Sequence, residues 1–219
     1  MGRVRGARHD VGHYEQTGQF RIDLRSQAAD QFDDASAVKR APFAGHNVKT
    51  PRILFLGAAD GYEAMQLAAM YPGGEIVLVD YDAFCATDRF GLFPLEYPFL
   101  AVDPVTGHQR VGYRDEMPTH FEVADIRDLT YGKEFDVVVS IGLLEHVPDS
   151  HKAECLEMHR RFLKPRGTTV MTTPRNQFNS HVFYHLMADL VNHGYRELVD
   201  VRQMGLYGHD NGFDIRQAA

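Results

Sequence analysis

From Arg52 onward the chain alternates between two hydrophobic periods. RILFL (52–56) and EIVLVD (75–80) are short, nearly unbroken apolar runs, the pattern of strands buried on both faces. Between them Ala64, Leu67, Ala68 and Tyr71 recur at helical spacing, with Asp60 at the expected N-cap and Pro72-Gly73-Gly74 as the stop. HFEVAD (120–125), FDVVVSIG (135–142) and GTTVMTTP (167–174) read as three more strands. Helices are predicted over 150–163 and 180–191, the latter closed by His193-Gly194. A weaker strand at 196–203 and a short piece at 213–216 finish the pattern. Strands alternating with helices predict an α/β fold, a Rossmann-like, doubly wound, mostly parallel sheet of seven strands.

One stretch breaks this rhythm. About thirty-seven residues, Tyr81 to Met117, precede the third strand, more than a crossover helix needs. Within them FLAVD-PVTG-HQRVGYR reads as two strands around a Pro104/Gly107 turn. The reading is a β-hairpin lid inserted at about 84–116 at the ligand end of the sheet; a long surface loop is the alternative. Residues 1–49 are polar with scattered aromatics (Tyr14, Phe20, Phe32) and are read as an N-terminal cap or lid, or else a tail. Residues 50–219 form the ligand-binding domain.

Composition narrows the function. A 44% hydrophobic content is that of a globular domain. No apolar run approaches the ~20 residues of a membrane helix, and the N-terminus lacks an apolar signal core, so neither membrane nor export is expected. Cys85 and Cys155 are isolated, which fits a reducing cytoplasm. A net charge of −7 makes a nucleic-acid backbone a poor partner and favours a small-molecule substrate. A homodimer is left open.

Three features fall together at predicted strand ends. Gly57 and Gly61, in LGAADGYEA, leave the first strand where backbone must approach a ligand. Asp80 closes the second strand nineteen residues after Gly61, where a carboxylate can accept two ribose hydroxyls. Asp125, closing the third in VADIRDL, can accept from an adenine amino group, with Ile126 against the ring. A nicotinamide-binding domain wants G-x-G-x-x-G, which Gly57-Ala-Ala-Asp-Gly61 does not supply.

With FDVVVSIGLLEHVPD and LKPRGTTVMTTP added, the chain over roughly 50–205 resembles a class I S-adenosylmethionine (SAM)-dependent methyltransferase. The resemblance implies SAM as cofactor. It implies Gly57, Ala58 and Gly61 near the methionine part and ribose, Asp80 with Tyr81 beside it at the ribose, and Asp125 and Ile126 at the adenine. Ser140 and Ile141 would border the methionine moiety and the reacting centre. The family usually carries an acid at the position of Phe55, which commonly helps hold the SAM ammonium, and often glycine at Ala59. Without that acid the amine is easier to deprotonate, unless Asp82, Glu63 or a backbone carbonyl replaces it.

Methyl transfer needs an aligned nucleophile and, where it is protonated, a base. His146, just after the fourth strand, is the first candidate. Tyr184 and His185, with His181, form a polar stripe on the predicted helix, and Asn176 and Asn179 precede it. Each has a plain structural alternative as a loop or helix-edge residue. Twelve histidines do not make a metal site, since no HExxH motif or cysteine cluster accompanies them, and none is expected. The functions that follow are a methyltransferase acting on a small metabolite or natural-product intermediate, a SAM-consuming cyclase of azetidine-2-carboxylate synthase type that releases methylthioadenosine, and a non-catalytic SAM-binding protein.

Overall fold

The computed structural model describes residues 48–93, 95, 97–103, 106–174, 176 and 199–215. Strand β1 (Arg52–Leu56) lies at the centre, because its side chains are apolar on both faces. Ile53 and Phe55 join one buried cluster with Ala64, Met65 and Leu67 of helix α1 (Tyr62–Met70). Leu54 and Leu56 join another with Met158 and Phe162 of helix α2 (Asp149–Phe162). The period-two alternation of a strand thus builds two cores, one per face. Leu54 and Leu56 are fully buried, each contributing about 1.5–3 kcal/mol of apolar burial.

Strand β2 (Glu75–Asp80) pairs in parallel with β1 and, on its other side, with β5 (Thr119–Val123). Strand β6 (Phe135–Ile141) pairs in parallel with β1 and with β7 (Leu163–Thr172). The order is β5-β2-β1-β6-β7. The chain therefore winds outward from β1 in one direction and then reverses through β6. The crevice outside the carboxyl ends of β1 and β6 is the place where such sheets bind ligands.

Strands β3 (Pro98–Val102) and β4 (Gln109–Tyr113) form an antiparallel hairpin in a sheet of their own. It packs on helix α1. Phe99 and Tyr113 are buried, and the Phe99 ring meets Tyr62 of α1 at 5.8 Å and Tyr97 at 5.1 Å. Arg110 donates to the Ala69 carbonyl at the far end of α1, and Asp103 of the turn acts electrostatically on Tyr71. The hairpin thus lies along α1, where its aromatic residues find apolar partners. The short π-helix Cys85–Phe90 precedes it, with the Phe90 ring against Gly61 of the loop after β1.

Two further expectations change. Asp60 does not occupy the N-cap position of α1; Gly61 does, at φ 77°, while Asp60 Oδ1 accepts from the Tyr62 N–H at 3.0 Å. Among the described residues, the stretches expected as strands at 196–203 and 213–216 form no strand of the sheet. Val201–Asp210 is helix α3, started by a reciprocal cap in which Asp200 Oδ1 accepts from Gln203 N (2.8 Å) and Gln203 Oε1 accepts from Asp200 N (3.0 Å). Residues 213–215 are irregular. Among the described residues the main sheet has five strands, with the hairpin separate. The predicted helix at 180–191 and all of 1–49 except Val48 and Lys49 lie outside the described residues.

His159 fixes α2 to β6. It is fully buried, with Nδ1 2.8 Å from the Cys155 carbonyl and Nε2 2.9 Å from Ser140 Oγ. A carbonyl only accepts, so Nδ1 carries the hydrogen and the Ser140 hydroxyl donates to Nε2. Burial pushes the imidazole down to about 4, against the partial offset of the Cys155 bond. As pH falls below about 6.5 the unfolded chain takes up this proton before the folded one. Stability is lost from about pH 6.5 down to about 4, by at most about 1.4 kcal/mol per pH unit. Replacing His159 with Gln should remove that part of the slope. Urea midpoints from pH 7 to 4 check it, and an unchanged slope would refute the assignment.

Candidate active site

The loop between β1 and α1 is a run of left-handed turns. Gly57, Ala59 and Gly61 stand at φ 71°, 49° and 77°. The N–H groups of Gly57 and Ala58 both donate to the Val79 carbonyl, at 2.9 and 3.0 Å, so the loop is pinned to β2. A Cβ on Gly57 would come within 3.1 Å of Leu143 in the loop after β6, and one on Gly61 within 2.4 Å of the Phe90 ring. Neither glycine tolerates a side chain. Ala59 carries one in the same backbone region, at a cost of about 1–2 kcal/mol.

Asp80 closes β2 and is 9% exposed. Its Oδ2 accepts from the Ala59 N–H at 2.9 Å and its Oδ1 from the Asp82 N–H at 3.0 Å. Each oxygen keeps a free acceptor site. The carboxylate therefore presents two aligned acceptors, the arrangement that a vicinal diol matches. The ring of Tyr81 beside it is 81% exposed, and Val123 and Phe84 add exposed apolar surface nearby in the chain and sheet.

Asp125 lies just past β5 in a turn closed by Asp128 N–H on the Asp125 carbonyl (3.0 Å). Arg127 donates to its carboxylate and holds it below the usual range, chiefly through the side-chain bond. The sequence reading missed Arg127, although the D-x-R spacing of ADIRDL carries the signal. Ile126 packs half-buried on the α2-side core.

At the end of β6, Ser140 turns its hydroxyl towards α2 and His159, so only its backbone is left to border the crevice. Ile141 is half-buried and packs on the opposite core. Gly142 follows at φ 73°, with Glu145 Oε1 3.3 Å from where its Cβ would stand. Glu145 is buried and His146 half-buried in the turn Leu144–His146. Phe55 is 2% exposed, its ring in the α1-side core and not on the crevice. Tyr184, His185, His181 and Asn179 lie outside the described residues, and Asn176 is exposed. Among the described residues no group of three or more His, Cys, Asp or Glu could hold a metal.

The methyltransferase domain family matches residues 23–218, and the chain belongs to it. It is 26% identical over 90 residues to a ubiquinone biosynthesis O-methyltransferase of Pseudomonas paraeruginosa, a match covering 38% of each protein. The fold is similar to a SAM-dependent methyltransferase of Methanosarcina mazei (TM-score 0.56, 17% identity, 78% of this chain and 84% of that one). It is also similar to human N-acetylserotonin methyltransferase in complex with SAM (TM-score 0.58, 16% identity, 91% and 50%). SAM is the methyl donor of this family. The crevice fits it chemically, since a loop with glycine at both ends and small residues between meets a buried carboxylate whose open acceptors suit ribose hydroxyls.

Replacing Asp80 with Ala should weaken SAM binding at least about tenfold, one charge-assisted bond's worth. Calorimetric titration checks this, and an unchanged dissociation constant would sink the ribose assignment. Ala59→Gly should raise stability by about 1 kcal/mol, net of glycine's entropy, with SAM affinity retained. A lower melting temperature would contradict the strain at this position.

Proposed function

We propose that this protein transfers the methyl group of SAM to a small-molecule acceptor. The observation that carries this reading is the Asp80 carboxylate, set at both oxygens by backbone N–H groups in the crevice where the sheet order reverses. The net charge of −7 favours a small molecule over a nucleic acid. The ubiquinone O-methyltransferase and the N-acetylserotonin methyltransferase, by their names, also act on small molecules. Two buried free cysteines suit a reducing cytoplasm, and no helix among the described residues is long and apolar enough to cross a membrane.

Bound SAM supplies an electrophilic methyl on a sulfonium. In this reading the Gly57–Gly61 loop lets backbone approach the methionine part and the ribose. Asp80 accepts the ribose hydroxyls, Tyr81 covers them, and Asp125 and Ile126 receive the adenine. The backbone of Ser140 and the side chain of Ile141 line the reacting centre. His146, half-buried at the end of β6, takes the acceptor's proton. Tyr184 and His185 would complete the acceptor pocket.

Phe55 supports a second reading. With a buried ring at that position, the acid that commonly holds the SAM ammonium is missing. A freed amine can attack its own Cγ, expelling methylthioadenosine and closing azetidine-2-carboxylate. Incubation with SAM alone, followed by mass spectrometry, separates the two. Methyl transfer predicts intact SAM until an acceptor is supplied, then S-adenosylhomocysteine. Equal amounts of methylthioadenosine and azetidine-2-carboxylate, above the enzyme-free control, would overturn it in favour of the cyclase.

A further inference from the structure

Asp125 is held by a single neighbour at three points. Arg127 donates its backbone N–H and its Nε to Oδ1, both at 2.9 Å, and its Nη2 to Oδ2 at 2.6 Å. An ionised carboxylate offers about four acceptor sites. Oδ1 is therefore filled and Oδ2 keeps one. The planar guanidinium fixes the plane of the carboxylate, and a lysine ammonium has no such fork. The backbone is fixed too, because the Asp128 N–H closes the turn and Leu129 is buried behind it. The other charges acting on Arg127 are Glu154 of α2 and Asp128, both acidic. Every bond and charge that lowers the Asp125 carboxyl comes from Arg127.

Resting on the reading that Asp125 receives the adenine of SAM, we propose that Arg127 is the positioning residue that makes this site select a 6-amino purine. It fills Oδ1 and leaves one ionised acceptor on Oδ2, which in this reading meets the ligand edge. An amino N–H satisfies that acceptor, and a 6-oxo group meets it lone pair to lone pair. When the clamp is removed the carboxylate is free to rotate and loses the bonds that favour its charged form. A carboxylate free to rotate can turn its oxygens away from a 6-oxo group, so it discriminates less between the two purines.

Calorimetric titration of the full chain with S-adenosylhomocysteine and its 6-oxo counterpart, S-inosylhomocysteine, tests this. The unmodified protein should prefer the adenosyl ligand at least about tenfold. Arg127→Met should weaken adenosyl binding about tenfold and bring the ratio towards one. It should also move the acid limit of binding upward, since the bonds that hold the carboxyl low are lost. Arg127→Lys should recover part of the affinity but not the ratio. In an Asp125→Asn background, Arg127→Met should add no further loss. The ratio isolates positioning, since partial unfolding lowers both affinities alike. An unchanged ratio and pH profile in Arg127→Met would overturn the proposal, as would an equal loss in the Asp125→Asn background. An unmodified chain that binds neither ligand would instead overturn the SAM-site reading beneath it.

Discussion

A buried carboxylate must have its oxygens satisfied, and the ligand edge of this protein is arranged around that requirement at Asp80. One oxygen takes the Ala59 N–H, from the loop after β1, and the other the Asp82 N–H, from the loop after β2. The two loops that flank the crevice are thus held by one side chain. The left-handed backbone at Ala59 follows from this, because it aims that N–H back at β2 in spite of its steric cost. Gly57 and Gly61 are then required on either side, against Leu143 and Phe90. Strain, glycine spacing and acid position are consequences of one hydrogen-bonded charge.

Local signals carried much of the fold into view before any coordinates. The runs RILFL, EIVLVD and FDVVVSIG are strands because they are apolar on both faces, and Asp80 was visible as the acid that closes the second of them. Helix α3 was misread although its cap, Asp200 to Gln203, is written locally. Valine favours a strand, but the capping pair starts a helix at Val201. The place of the hairpin was not legible. An aromatic such as Phe99 marks a strand face for burial without naming its partner, and only tertiary packing supplies α1.

Position 140 shows a different limit. A serine at the end of a ligand-bordering strand invites a role for its hydroxyl, yet side-chain alternation sends Ser140 to the face of Val138, where His159 of α2 waits. The partner is nineteen residues away and arrives only when α2 docks, so spacing could not reveal it. Arg127 lies at the opposite extreme. It is two residues from Asp125, and what hid it is that an i+2 pair matters only in a turn that folds it back.

The same alternation bears on Phe55. On β1 its neighbours in register are Leu78 and Val139, and all three belong to the α1-side core. An acid there would be buried among Ala64, Met65 and Val139 with no cation in that cluster to pair it. In this chain position 55 is therefore a packing position, and anything that holds a cofactor's ammonium has to come from beyond the strand end. Asp60 and Asp82 each already accept a neighbouring backbone N–H through one oxygen, and the other oxygen can still face a cation. Among the described residues these two loop carboxylates are exposed, and solvent screens such groups far more than it would a buried partner.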